Sequence, residues 1–116
     1  MNMDDGVELD PASAERAFGE GYFNLIRRGA DGSLTLSMDH WRLEDVTAKA
    51  FHFVAREDNV APLDVALGDV ARLVWGRLPK QQVRSQIRFH LANGDLWTFS
   101  GSFDESALPD RRASSG

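Results

Sequence analysis

The chain predicts a mainly β fold: about seven short antiparallel strands in a small barrel or sandwich, with one short helix near the N-terminus. Three observations lead there. In Val83–Gly101, Val83, Ser85, Ile87, Phe89 and Leu91 point one way, and Arg84, Gln86, Arg88 and His90 the other. That period of two marks a strand with one buried and one wet face. Asn93-Gly94 then supplies a turn, and Leu96-Trp97-Thr98-Phe99 returns as a strand of aromatic and β-branched character. Finally, strand-like segments recur at spacings of ~8–12 residues with no helical period between them, which favours antiparallel sheets over a parallel one.

Taken in order, Met1–Asp10 is acidic and polar and is expected to fray. Asp10-Pro11 reads as a helix start, an acidic cap before a proline at the first helical position. The alanine-rich segment Ala12–Phe18 is the helix, stopped by Gly19 and Gly21. Its Ala14, Ala17 and Phe18 are expected to cover apolar sheet; otherwise a homodimer would have to do so. Tyr22–Arg28 is the first strand and Ala30-Asp31-Gly32 a turn. Ser33–Met38 alternates, with Leu34, Leu36 and Met38 expected inward. Trp41-Arg42-Leu43 continues as a strand. Phe51-His52-Phe53-Val54 outweighs the helical Ala-Lys-Ala start of its segment, so Thr47–Arg56 reads as a strand. Pro62–Leu67 and Ala71–Trp75 follow, and Gly76–Gln82, with Pro79, reads as an exposed loop.

The hairpin poses a choice of register. A two-residue Asn93-Gly94 loop would turn Trp97 and Phe99 outward beside His90 and Arg88. A three-residue loop, Ala92-Asn93-Gly94 with Gly94 left-handed, instead sets Phe89 against Trp97 and Ile87 against Phe99 on the core side. Burial is worth ~1.5–3 kcal/mol per large side chain, and the turn preference about 1 kcal/mol. The three-residue loop is therefore predicted.

At 116 residues the chain makes one domain, residues 11–103, between a flexible acidic N-terminus at 1–10 and a polar, disordered tail at 104–116. It has no cysteine, which excludes disulfides and thiol chemistry. The residues before Gly21 hold no apolar run, so neither a signal peptide nor a membrane span is read, and a cytoplasmic protein, peripheral to a membrane at most, is expected. Net charge is −5, but Val70–Gly94 carries Arg72, Arg77, Lys80, Arg84 and Arg88 with no acid. Such a run suggests an anionic partner. The plainer alternative is a strand face whose arginines pair with acids on neighbouring strands.

No chemical motif emerges. His40, His52 and His90 have no metal-ligand spacing. Asp39 and His40, adjacent in extended chain, would face opposite ways and cannot cooperate. No nucleophile elbow, phosphate-cradling glycine loop or carboxylate pair is present, so neither an enzyme nor a cofactor is expected. Trp41, Trp75 and Trp97 could surround a ligand pocket, although core positions are the commoner use of tryptophan in a small β domain. Nucleic acid is disfavoured, because the hairpin's aromatics lie opposite its basic face.

Three segments in order resemble the pleckstrin-homology-like superfamily in its GRAM or small bacterial form. They are Gly32-Ser33-Leu34-Thr35-Leu36; Pro62-Leu63 through Asp69-Val70 to Val74; and Ile87-Arg88-Phe89 with Gly94 and Phe99. The family's closing C-terminal helix has no counterpart in Ser102–Gly116. The resemblance implies a non-catalytic module that binds an anionic phospholipid headgroup or a protein partner, and it carries over no functional residue. With the basic segment, it makes Arg72, Arg77, Lys80, Arg84 and Arg88 the candidate surface, with Arg84 and Arg88 exposed. The alternative is a small-molecule-binding barrel with Trp41, Trp75 and Trp97 around its pocket.

Overall fold

The computed structural model describes residues 6–36, 39–78, 81–104 and 106, and of residues 77, 78 and 81–84 only the backbone. The chain is mainly β, as the sequence predicts, with nine strands and one α-helix among the described residues. In order these are β1 (Val7–Glu8), α1 (Pro11–Phe18), β2 (Asn24–Arg28), β3 (Leu34–Leu36), β4 (Trp41–Val46), β5 (Ala50–Ala55), β6 (Leu63–Ala66), β7 (Val70–Leu78), β8 (Gln81–Leu91) and β9 (Leu96–Gly101). Six strands form one antiparallel sheet in the order β1-β7-β8-β9-β2-β3, and β4-β5-β6 form a second. A bridge between Phe23 and Trp41 links the two.

Phenylalanine builds the core between the sheets. All seven phenylalanines are buried there. Phe18, at the end of α1, meets Phe23, Phe53, Phe99 and Phe103 edge-on at centroid distances of 5.2, 5.5, 5.4 and 5.1 Å. Phe53 stacks on Phe99 across the interface at 4.6 Å, and Phe51 meets Phe89 at 5.1 Å. The helix forms as its sequence indicates. The Asp10 carboxylate accepts the Ser13 N–H at 2.8 Å, proline occupies the first turn, and Ala14, Ala17 and Phe18 are buried.

The hairpin takes the three-residue loop. Leu91 N–H donates to Asp95 O at 2.9 Å, Phe89 pairs with Trp97 and Ile87 with Phe99, and Gly94 sits at φ 98°. Packing has chosen the register.

Three expectations are corrected. Val7–Glu8 is not frayed but pairs with Val74 and Trp75 as an edge strand, and Leu9 N–H donates to Leu73 O. The segment read as a loop at 76–82 is mostly strand, with β7 running to Leu78 and β8 starting at Gln81. Lastly, Leu34 and Leu36 are not inward: they are 59% and 60% exposed. Pairing of β3 with β2 sets them beside Arg28 and Ile26, on the face away from the core. Met38 lies outside the described residues.

Candidate functional site

Register defines what the outer face of the six-stranded sheet presents. One lateral row reads Leu36, Ile26, Thr98, Arg88, Val74; the next reads Leu34, Arg28, Leu96, His90, Arg72. Paired residues share a face, so aliphatic and cationic side chains are interleaved there. Leu34, Leu36, Arg28 and Arg72 are exposed, and Ile26, Leu96, Arg88 and His90 are half-buried. Strands β2, β3, β7, β8 and β9 contain no acidic residue. Glu8 of β1 supplies the acid of this sheet: Nε and Nη2 of Arg72 both lie on Glu8 Oε2, at 2.8 and 2.7 Å.

Of the basic surface expected from the sequence, the side chains of Arg72 and Arg88 are described. Arg72 is neutralised by Glu8. Arg88 is half-buried rather than exposed, its guanidinium close to Gly6. Arg77 and Arg84 belong to β7 and β8, but their side chains, like all of Lys80, lie outside the described residues. Sequence reasoning missed Arg27 and Arg28, because β2 is remote in the chain from the acid-free run and joins its sheet only through β9.

At the end of the sheet, a cleft of about 220 Å³ is lined by Arg27, Arg28, Ser33, Thr35, Asp95 and Trp97. Thr35, Arg27 and Trp97 are consecutive cross-strand neighbours, and the Arg27 guanidinium lies over the Trp97 ring at 5.1 Å. Asp95 ties the two turns together: Oδ1 accepts the Ala30 N–H at 3.0 Å and Oδ2 the Asn93 amide at 3.4 Å. A second cavity of about 210 Å³ is lined by Leu9, Phe51, Leu67 and Leu73 together with the paired Arg72 and Glu8.

Of the three tryptophans, only Trp97 lines one of these two cavities. Trp41 and Trp75 are buried and line neither.

Two histidines carry acid partners that the sequence left unpaired. Glu57 accepts the His40 backbone N–H through Oε1 and meets His40 Nδ1 through Oε2, both at 3.0 Å. Those bonds hold the Glu57 carboxyl down to about 2. On the outer face of the smaller sheet, His52 Nδ1 lies 2.7 Å from Asp64 Oδ1, with Asp45 paired on its other side. The bond to Asp64 raises the His52 pKa above its ordinary value. Among the described residues, no group of three or more His, Asp or Glu side chains is placed to hold a metal ion. No helix there is long and apolar enough to cross a membrane.

No family model, curated protein or solved structure matches this chain.

Proposed function

We propose that the chain is a peripheral binding module that docks the outer face of its six-stranded sheet on an anionic lipid surface. One observation carries this reading: two leucines about 60% exposed stand beside Arg28 on a sheet whose long strands hold no acid. Exposed aliphatic groups set among cations suit an interface in which charge attracts the protein and apolar side chains enter the headgroup layer. Each arginine near such a surface is worth ~1 kcal/mol. A rigid sheet offers those groups together, with little conformational entropy left to lose. A protein partner is the competing occupant, but a protein would need complementary shape, whereas a membrane needs only this composition.

The test is co-sedimentation with vesicles of phosphatidylcholine alone or mixed with phosphatidylserine. The full chain should pellet with the anionic vesicles, and added salt should release it. Arg28→Glu changes the local charge by two, so affinity should fall by about 30-fold. Leu34→Ser/Leu36→Ser, at exposed positions, should weaken binding without lowering the melting temperature. Equal binding to both vesicle types, or none to either, would refute the reading.

A further inference from the structure

The cleft between the β2–β3 and β8–β9 turns shares Arg28 with the outer face but is built on the row Thr35, Arg27, Trp97, and its geometry points to a ligand of its own. We infer that it is a site for a phosphate-type tetrahedral oxyanion carried by a small soluble molecule. Arg27 is half-buried there, and among the described residues neither Arg27 nor Arg28 forms an ion pair. A partly desolvated guanidinium without a carboxylate gains strongly from an anion.

The contact with Trp97 bears on how that anion would be held. With its guanidinium over the Trp97 ring at 5.1 Å, Arg27 makes a cation–π contact with the indole. Its N–H donors lie in the guanidinium plane and stay available at the edges, in a fork that suits two oxygens at once. The contact also limits the side chain's rotamers before a ligand arrives, which reduces the entropy lost on binding. Thr35 adds a hydroxyl from β3 and Arg28 a second cation, while the Ser33 hydroxyl, in the turn before β3, is engaged by the Asp31 carboxylate. This set offers donors to three or four oxygens, more than a carboxylate presents.

Asp95, also in the lining, forms no ion pair with Arg27 or Arg28; it bonds the Ala30 N–H and the Asn93 side-chain amide instead, and its charge leaves the cleft one net positive charge from the two arginines. At about 220 Å³ the cleft falls below the usual range of drug-sized pockets, ~300–1,000 Å³, so the ligand is small.

Inorganic phosphate is the probe, titrated into the full ¹⁵N-labelled chain against sodium chloride at equal ionic strength. The Trp97 indole N–H, assigned by its loss in Trp97→Phe, and the Ser33 and Thr35 amides should shift saturably with phosphate. Sulfate, which is also tetrahedral, should move the same signals. Arg27→Gln should weaken phosphate binding about tenfold or more, and Arg27→Lys by less, because the charge remains while the planar fork is lost. Arg16→Gln, on the exposed helix, should leave it unchanged. Should phosphate shift these signals no more than chloride does, or should a folded Arg27→Gln bind as wild type, the site is refuted. Vesicle binding through Leu34 and Leu36 would be untouched by that failure.

Discussion

Replacing Phe18 with alanine tests whether the helix is a structural member of the sandwich or an attached cap. An eight-residue helix has no independent stability in water, so α1 exists because it docks. Phe18 is 2% exposed and reaches rings from both sheets: Phe53 from the smaller, Phe89 and Phe99 from the larger, with Phe23 and Phe103 at the end. Truncating a buried phenylalanine costs ~3–5 kcal/mol, the upper part of that range applying where rigid neighbours cannot close the cavity. The surrounding rings are held by their own strands, so little collapse is expected. Edge-on aromatic pairs add ~0.5–1.5 kcal/mol each beyond area burial, which also favours the upper end. Against a total stability of ~5–15 kcal/mol, that loss is a large share. Urea unfolding followed by tryptophan fluorescence should move the midpoint of Phe18→Ala far below wild type. The exposed Tyr22→Ala should stay within about 0.5 kcal/mol. If Phe18→Ala lost less than about 1 kcal/mol, the helix would be an appendage and the two-sheet core would stand without it.

Two further perturbations follow from local geometry. Gly94→Ala places a Cβ at φ 98°, 2.9 Å from the Ala30 Cβ, and should destabilise by about 1–3 kcal/mol; unchanged stability in urea would contradict the left-handed loop. The Glu57 carboxyl, held at about 2 against an ordinary 4.5, contributes stability that is fully present above about 4.5 and is lost as pH falls through 2. The stability gap between wild type and Glu57→Gln should therefore narrow on acidification from about pH 6 to about pH 3, and a gap constant with pH would show that the His40 contacts do not act through the carboxylate.

What the sequence disclosed and what it hid divide along a physical line. The β8–β9 register was legible because two strong local patterns, alternation and turn, met one packing requirement that only one register satisfies. The helix was legible from Asp10-Pro11 and the spacing of Ala14, Ala17 and Phe18. Val7–Glu8 was not, since two residues carry no period and become a strand only because the β7 edge pairs with them. The alternation in Ser33–Met38 announced a strand but could not say which face would be covered. At Leu34 and Leu36 the usual inference fails, because β3 ends the sheet and sets its leucines beside Arg28 and Ile26. The cleft was hidden for a related reason. Arg27 and Trp97 are far apart in sequence and meet only through the β2–β9 pairing.

A net charge of −5 taken as a whole opposes attraction to an anionic surface, yet its arrangement removes the objection. The smaller sheet carries Glu44, Asp45 and Asp64 against Arg42, while the long strands of the larger sheet carry arginines alone. Asp45 and Asp64 flank His52 on the face turned away from the core. Packed sheets lie ~10 Å apart, and side chains on the two outer faces are farther apart still. At physiological ionic strength the Debye length is ~8 Å, so an anionic surface touching the larger sheet feels the arginines of its outer face, of which Arg72 is already paired with Glu8, and is screened from the acids of the smaller sheet behind them. At ~0.01 M salt the Debye length grows to ~30 Å and the whole molecule is felt, acids included. Salt should therefore act on vesicle binding in two regimes. Raising it from very low values removes long-range repulsion as well as attraction and changes affinity little; raising it beyond physiological strength removes the arginines' attraction and releases the protein. A net-basic protein would lose affinity steeply from the first addition of salt. A steep monotonic loss here would mean that the acidic sheet exerts no long-range repulsion, and that the separation of charge between the two sheets plays no part in binding.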